Sequence, residues 1–176
     1  MTVRVRPISI PADLDAIASL SFGLGEVAWT ERDLWVCFGA HRGYGLLTLS
    51  TRLDEENRIV EAAPLGFAIC LPVAPDGCRI IDMAIHEDVR RKGLGLGMMA
   101  VLMLSLRRAG KLSVDVVVSE RSLAAQRFFR ACDFRATQVL RGLFRDGSVD
   151  GIHFEYPLQR EGDLAGVAAA DVKEAR

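Results

Sequence analysis

A short run of cations followed by glycines gives the clearest chemical signal in this chain. Arg90, Arg91 and Lys92 precede glycines at positions 93, 95 and 97, and an apolar segment suited to a helix comes next. Glycine lets the backbone turn and approach a ligand closely, and the start of a helix attracts negative charge. The residue types therefore predict an anion-binding loop at 90–97, of the kind that holds a polyphosphate.

The spacing within this run excludes two common phosphate-binding motifs. An NTPase loop needs Gly-Lys followed by Ser or Thr, which this run lacks. A dinucleotide fingerprint needs a third glycine where Met98 stands. What remains is Arg-x-x-Gly-x-Gly, formed by Arg90, Gly93 and Gly95 after an apolar strand. This pattern resembles the acyl-CoA signature of the GNAT superfamily of N-acetyltransferases; the alternative is an ordinary glycine-rich turn with solvated arginines.

The segments around the loop predict an α/β fold. Alternating apolar residues and turn residues predict strands at 3–6, 44–53, 65–73, 79–86, 112–118, 134–143 and 152–158. Helical spacing predicts a helix opened by Pro11, a second begun by a variant capping box of Thr30 and Asp33, and further helices at 96–109 and 123–132. This order resembles the GNAT fold over residues 3–158, a mixed, mostly antiparallel sheet of about seven strands with helices on both faces.

The apolar faces of the first two helices and the ends of the domain are also predicted. The first helix should bury Leu14, Ile17, Ala18 and Leu20, and the second Leu34, Trp35 and Phe38. We expect one domain over 1–159. The stretch 160–176, rich in Ala, Glu and Asp, is expected to be a short helix or a flexible tail.

Composition narrows the class of protein. The 22 Lys and Arg residues nearly balance the 23 Asp and Glu residues of this 176-residue chain, which argues against a nucleic-acid-binding face. Four isolated cysteines and the absence of a recognisable secretory leader favour reduced, packed thiols and a cytoplasmic location. No apolar run approaches the roughly 20 residues that span a bilayer. We expect a protein that binds neither membrane nor metal, as a monomer or a homodimer.

Two further segments extend the resemblance. Ser122, Ala125, Phe129 and Phe134 fall where the family often shows Asn, Ala, Tyr and Phe. The segment 29–31, Trp-Thr-Glu, is similar to the corresponding segment of bacterial ribosomal-protein alanine N-acetyltransferases.

The resemblance implies acetyl-CoA as co-substrate and a primary amine that attacks its thioester directly. Backbone amides of 91–97 would hold the pyrophosphate, the three cations would surround it, and the backbone near Met83 and Ile85 would pair with the pantetheine. The implied CoA-binding residues are Met83, Ala84, Ile85, Arg90, Arg91, Lys92, Gly93, Leu94, Gly95, Leu96, Gly97 and Met98.

The catalytic positions of the relatives are apolar here. The tyrosine that protonates the leaving thiolate corresponds to Phe129, which has no proton to donate. The acid or histidine of related N-terminal acetyltransferases corresponds to Val117, and their peptide-gripping tyrosines correspond to Leu143 and Phe144. An apolar acceptor pocket would be lined by Trp29, Phe129 and Phe144.

Two carboxylates are candidates for the general base. Asp82 interrupts the apolar strand before the loop, and its alternative role is an ion pair with an arginine. Glu26 lies between the first two helices, where simple solvation is the alternative. Asp115, which should share a strand face with Val117, is a weaker third candidate. His86 and His153 are interpreted as polar residues at strand ends.

Two functions remain open from the sequence. The first is an N-acetyltransferase that acts on a peptide N-terminus or a small amine. The second is a catalytically weak or inactive GNAT module that binds acyl-CoA as a sensor or regulatory partner. The intact loop is required by both functions, whereas the absence of the tyrosine favours the second.

Overall fold

The computed structural model describes residues 2–22, 30–40, 42–56, 59–73 and 75–158. These residues fall into two compact units. The first contains the described parts of Met1–Pro72 and Arg79–Leu102, and the second those of Val73–Cys78 and Met103–Arg176. Each unit has its own core.

The first unit is built on four strands. They are β1 (Thr2–Pro7), β2 (Tyr44–Leu53), β3 (Ile59–Val73) and β4 (Gly77–Ile85), which neighbour one another in that order. The pairs β1/β2 and β2/β3 are antiparallel. Its helices are α1 (Leu14–Phe22), α2 (Glu31–Trp35) with a π-helical turn at Val36–Ala40, and the first part of α3 (Leu94–Arg108). The end of β3, the start of β4 and the end of α3 belong to the second unit.

A mainly apolar cluster fills the first unit. It consists of Ile17, Leu20, Leu34, Cys37, Leu47, Phe67, Ile69 and Ala84. The predicted face of α1 is confirmed except at Ala18, which is exposed. The prediction for Trp35 is wrong, because its side chain is 48% exposed while Leu34, Cys37 and Phe38 turn inward at the helical spacing of three and four residues.

Hydrogen bonds with side chains fix the starts of the first two helices. The predicted capping box is confirmed: the Asp33 N–H donates to Thr30 Oγ1 at 3.2 Å, and the Thr30 N–H donates to Asp33 Oδ2 at 3.1 Å. Ahead of α1, buried Asp13 accepts two hydrogen bonds of 2.6 Å from the Arg6 guanidinium and one of 2.7 Å from the Ser9 N–H. Asp13 thereby ties the end of β1 to the segment that opens α1.

The second unit contains the end of α3, β5 (Ser113–Ser119), α4 (Leu123–Ala131), β6 (Arg135–Phe144) and β7 (Val149–Pro157). Strand β7 lies between β5 and β6 and is antiparallel to both. Val114, Val116 and Val118 are buried, whereas the residues between them are half-buried on the opposite face of β5. Phe129 of α4 makes edge contacts with Phe134 and a tilted contact with Phe154.

The described residues contain seven strands and four α-helices in the predicted order, which confirms the predicted fold class. Several boundaries differ from the prediction, among them the start of α1 at Leu14 rather than Pro11 and of β4 at Gly77 rather than 79. Strand β3 begins at Ile59 rather than at 65, because a bulge accommodates Pro64: Pro64 pairs with Leu49 and Gly66 with Thr48, leaving Leu65 without a partner on β2. Helix α3 begins at Leu94 and includes two glycines, and β7 begins at Val149. The predicted tail at 160–176 lies outside the described residues.

The cysteines are free thiols, and Cys37, Cys70 and Cys78 are buried while Cys132 is half-buried. Burial raises the pKa of Cys37 to about 11, and burial together with the nearby Asp133 raises the pKa of Cys132 to about 11. In the part of the chain that the structure describes, no helix is both long and apolar enough to cross a membrane.

Candidate functional site

Strand β4 leads to the predicted anion-binding loop and is held closely against β3. A Cβ atom added to Gly66 of β3 would lie 2.7 Å from the Ala84 carbonyl oxygen and 2.5 Å from Cδ1 of Ile85. The His86 N–H, one residue after β4, donates to the Leu65 carbonyl at 2.8 Å. Because Gly66 has no side chain, the two strands can stay in contact up to the point where the loop begins.

The segment after β4 is an ordered turn. Residues Glu87–Val89 form one 3₁₀ turn, and His86 at its start accepts a 3.4 Å hydrogen bond from the Asp88 N–H through Nδ1. The Arg90 N–H closes the turn by donating to the Glu87 carbonyl at 3.2 Å. His86 is therefore a strand-end residue, as predicted.

Two of the three predicted cations make hydrogen bonds to the backbone just before the loop. Arg90 Nε donates to the Ile85 carbonyl at 2.9 Å, and Lys92 Nζ donates to the Asp88 carbonyl at 3.0 Å. All three cations, including Arg91, are exposed. The side chains of Arg90 and Lys92 therefore hold the backbone of the turn while their charge stays at its surface.

The backbone at the start of α3 has the geometry of an anion site. Arg91 and Gly93 adopt left-handed conformations, with φ of 61° and 81°. The Gly97 N–H makes a helical bond of 2.9 Å to the Gly93 carbonyl, so the N–H groups of Leu94, Gly95 and Leu96 have no acceptor within α3. Left-handed turn residues followed by unused helical N–H groups are a common arrangement for phosphate binding.

The backbone of the loop borders open space at two of its glycines. A Cβ added to Gly93 or to Gly97 would meet no atom within 4 Å, so both positions border open space. The Gly97 amide is used inside the helix, which shortens the predicted cradle of amides from 91–97 to 91–96. Met98 is fully buried and its sulfur accepts a 3.2 Å hydrogen bond from Thr48 Oγ1, so its side chain belongs to the core rather than to the loop surface.

The predicted pantetheine-binding strand is described, but part of its backbone is already bonded. The Ile85 carbonyl accepts from Arg90, and the Ala84 carbonyl lies on the side of Gly66. Met83, which follows Asp82 and precedes Ala84 in the strand, is half-buried. Pairing of this strand with pantetheine stays a prediction.

The structure describes one of the two candidate bases. Asp82 is half-buried in β4, on the same face as buried Ile80 and Ala84, and it takes part in a polar or charge interaction with a neighbour. That interaction agrees with its alternative role in an ion pair, so its role as a base stays a prediction. Glu26, the second candidate, and Trp29, a predicted lining residue, both lie outside the described residues.

The aromatic candidates lie in the second unit. Phe129 is only 5% exposed and sits in a cluster of aromatic rings, with centroids 5.3 Å from both Phe128 and Phe134. Phe144 is half-buried at the end of β6, and Val117 is half-buried on β5. Phe129 thus has a full set of packing contacts, and a pocket-lining role for it or for Phe144 stays a prediction.

The interpretation of His153 as a strand-end residue is wrong. It lies in the middle of β7, because that strand begins three residues earlier than predicted. Its imidazole hydrogen-bonds both to Asp115 of β5 and to Thr137 of β6. Sequence reasoning missed this group because it depends on how the three strands pair. The alternation of Asp115 and Val117 on one strand face was the only local signal for it.

Part of the chain matches a known protein family. Residues 51–136, just under half of the chain, match the family of acetyltransferase (GNAT) domains. This segment contains β4, the loop, α3, β5 and α4. This match agrees with the predicted resemblance to the GNAT superfamily and with the predicted enzyme class, an acetyl-CoA-dependent acetyltransferase. No curated protein matches the chain in sequence.

Solved structures share the fold at low sequence identity. The ribosomal-protein-S18-alanine N-acetyltransferase of Escherichia coli is 19% identical with a TM-score of 0.72, over 90% of this chain and 95% of the other. Ard1 from Thermoplasma volcanium is 20% identical with a TM-score of 0.72, over 91% of this chain and all of the other. The NatC complex bound to Gag peptide and CoA gives a TM-score of 0.73 at 13% identity, over 90% of this chain and 100% of the matched chain. These similarities confirm the GNAT fold.

Proposed function

We propose that this protein transfers an acetyl group from acetyl-CoA to a primary amine, either a peptide N-terminus or a small amine. The observation that carries the proposal is the loop at 90–97, where left-handed residues, unused helical N–H groups and exposed cations come together beside open space. Peptide and CoA are named together for the NatC complex, which shares this fold.

The loop would hold the pyrophosphate of acetyl-CoA. The N–H groups of Leu94, Gly95 and Leu96 would donate to phosphate oxygens, with the positive end of the α3 dipole behind them. Arg90 and Lys92 donate hydrogen bonds to the backbone of the turn. Arg91 has no comparable role there, so its charge would be available to the phosphates. These donors are fixed before the ligand arrives, which reduces the entropy lost on binding.

The reaction would be a direct attack of the neutral amine on the thioester carbon. The C–N bond forms, the C–S bond breaks with its electron pair on sulfur, and the amine loses one proton. Phe129 stands where relatives have a proton-donating tyrosine, and its packed ring has no hydroxyl. A thiol of pKa about 8.5 is a good enough leaving group to depart as thiolate or to take a proton from water.

The protonation state of the acceptor selects between classes of amine. At pH 7 an α-amine of pKa about 8 is roughly 10% neutral, whereas a lysine amine of pKa about 10.4 is roughly 0.04% neutral. Where the base is weak or absent, this difference of over a hundredfold passes directly into the rate. We therefore favour α-amines, or small amines of similarly low pKa, as acceptors.

Release of the CoA thiol tests this proposal. Purified protein and acetyl-CoA are mixed at pH 7 with two peptides that differ only in their amine: one has a free N-terminus and no lysine, and the other is N-terminally acetylated and carries a single lysine. We expect amine-dependent thiol release to be at least about 100-fold faster with the free N-terminus. A panel of polyamines, each mixed with the same components, extends the test to small amines. Absence of amine-dependent release with every acceptor would contradict the proposal.

The second candidate function is acyl-CoA binding without turnover. It is favoured by the packed Phe129 ring in place of a tyrosine. This function predicts that CoA stabilises the protein while no acceptor releases its thiol. Measuring both the stabilisation by CoA and the release of its thiol therefore separates the two functions.

A further inference from the structure

Three side chains on neighbouring strands of the second unit form a continuous chain of hydrogen bonds. Asp115 lies on β5, His153 on β7 and Thr137 on β6. Asp115 Oδ2 is 3.0 Å from His153 Nε2, and His153 Nδ1 is 3.0 Å from Thr137 Oγ1. The Asp115 and His153 side chains are 13% and 14% exposed, whereas Thr137 is exposed. A carboxylate, an imidazole and an accessible hydroxyl therefore follow one another in a line.

A bulge in β6 sets the position of the hydroxyl. Ala136 pairs with Phe154 and Gln138 pairs with His153, so Thr137 is the extra residue between two regular pairs. A bulge changes the direction of a side chain relative to its strand. Gln138 is the residue that pairs in register with His153, yet the side chain of Thr137 also contacts the His153 imidazole. The contact depends on this one inserted residue.

The order of the three groups fits the activation of a nucleophile. With Asp115 accepting from the Nε2–H of His153, the free lone pair of the imidazole is on Nδ1, where it can accept the hydrogen of the Thr137 hydroxyl. The competing acceptor, the His153 main-chain carbonyl, is farther from Oγ1, at 3.5 Å. A hydroxyl beside a base that a third group orients is the arrangement of activated serine and threonine nucleophiles. Glu155, whose side chain is 51% exposed, lies 3.4 Å from Nδ1. Both carboxylates would stabilise the imidazolium that forms when His153 takes the proton.

We propose that Thr137 is an activated hydroxyl that accepts an acyl group from small activated esters or thioesters, with His153 as its general base. In the transfer step a bond forms between Thr137 Oγ1 and the acyl carbon. The bond from that carbon to the leaving oxygen or sulfur breaks, and its electron pair leaves with that atom. The hydroxyl proton passes to His153 Nδ1 and from there to solvent or to the leaving group. The product is an acyl ester of Thr137.

This activity does not rest on acetyl transfer to an amine. A chain that fails the thiol-release test can still acylate Thr137, and a chain that passes it can fail to do so. The chemistry requires only the three strands of the second unit and a donor small enough to reach an exposed residue.

The test uses p-nitrophenyl acetate with the full chain at pH 7, followed by peptide mapping in mild acid. Ser148 is the internal control, since it is also exposed, lies in the β6–β7 turn and donates its hydroxyl hydrogen to the Arg145 carbonyl at 2.9 Å rather than to a base. We expect Thr137 to be acetylated about 100-fold faster than Ser148. Equal labelling of the two hydroxyls, or label found on other side chains alone, would overturn the proposal.

Variants identify the base. Thr137→Val should abolish the label, and Thr137→Ser should retain it. His153→Gln should slow labelling of Thr137 by about 100-fold while leaving that of Ser148 unchanged. In His153→Ala, imidazole added to the buffer should restore labelling of Thr137 in preference to Ser148. If Thr137 is labelled as fast in His153→Gln as in the wild type, His153 is not its general base. This conclusion does not depend on the stability of the variant, because Ser148 reports on the same folded hairpin.

Discussion

Arg90 and Lys92 hold the backbone next to the loop through their charged side chains. Each donates a hydrogen bond to a main-chain carbonyl of the segment Ile85–Asp88. Their positive charge stays at the loop, but their guanidinium and ammonium groups also fix its conformation. A substitution of Arg90 would therefore change both the field around the loop and the position of its backbone amides.

Asp13 is a second charged residue whose side chain fixes the backbone around it, here with a consequence for the stability of the protein. Hydrogen bonds from Arg6, and to a smaller extent from the Ser9 N–H, lower the pKa of Asp13 below its ordinary value. A carboxyl with a depressed folded-state pKa stabilises the protein above its unfolded pKa and loses that effect as the pH falls through the folded value. The Arg6–Asp13 pair should thus contribute at neutral pH and fade in acid.

We expect Asp13→Asn to lower the free energy of unfolding by roughly 2 kcal/mol at pH 7, because it removes a buried partner of a charged hydrogen-bonded pair. The difference between wild type and variant should shrink as the pH falls below about 4. Urea denaturation at a series of pH values measures both effects. Asp15→Asn, at an exposed carboxyl in the first turn of α1, is the control and should cost less than about 1 kcal/mol. A difference that stays constant down to pH 2 would contradict this account.

At the scale of elements, the contact between β3 and β4 determines where the loop begins. Gly66 is the residue that allows this contact, since an added Cβ would approach the Ala84 carbonyl oxygen to 2.7 Å. The nearby bulge at Leu65 and the bond from the His86 N–H to the Leu65 carbonyl place the end of β4 against the same point of β3.

Gly66→Ala should therefore destabilise the protein by about 1–3 kcal/mol through overpacking against backbone. Gly97→Ala is the matched substitution in α3, where an added Cβ meets no atom within 4 Å. It should stabilise the protein by about 0.5–1 kcal/mol, because alanine costs less than glycine in a helix. Chemical denaturation of the two variants distinguishes these opposite signs, and an equal effect of both would show that the contact has no special role.

The elements also show which parts of the fold can be predicted from sequence. The capping box of Thr30 and Asp33 and the strand at Tyr44–Leu53 were predictable, because both depend on residues close together in the chain. The early start of β3 was not, because Pro64 ordinarily ends a strand and only pairing with β2 reveals the bulge. The start of α3 was missed for a related reason: helical hydrogen bonding absorbed Gly95 and Gly97, which were expected to form the loop.

At the scale of the whole molecule, the predicted chemistry divides between the two units. Every described residue predicted to bind CoA lies in the first unit, whereas Phe129, Phe144 and the Thr137–His153–Asp115 group lie in the second. A loop leading into a helix at 90–97 could be predicted because its signal is a continuous run of sequence, whereas its assignment to CoA stays a proposal. The group around His153 could not, because three strands from separate parts of the chain, 115, 137 and 153, have to pair before it exists.

A ligand that binds the native protein alone stabilises the entire fold. CoA at 100 times its Kd should add about 2.7 kcal/mol to the free energy of unfolding. For a chain of this size that corresponds to a rise in Tm of about 5–10 °C. Gly93→Glu should remove this rise, since it places a negative side chain and a strained backbone in the loop.

Gly147→Glu is the matched control for this prediction. Gly147 also has a positive φ, of 89°, and also borders open space, but it lies in the β6–β7 turn. Both variants should lose similar stability without ligand, and CoA should still raise the Tm of Gly147→Glu. If CoA stabilises Gly93→Glu as strongly as the wild type, the assignment of the loop to the pyrophosphate is wrong.

The raised pKa of Cys37 and of Cys132 makes the folded chain a poor target for disulfide reagents. With a pKa of about 11, only about one such thiol in ten thousand is ionised at pH 7, and the thiolate is the reactive form. Cys70 and Cys78 are shielded by burial instead. A colorimetric thiol reagent mixed with the folded protein should therefore report mainly CoA. In the absence of CoA, the speed with which it modifies the cysteines should follow the rate at which the native structure opens.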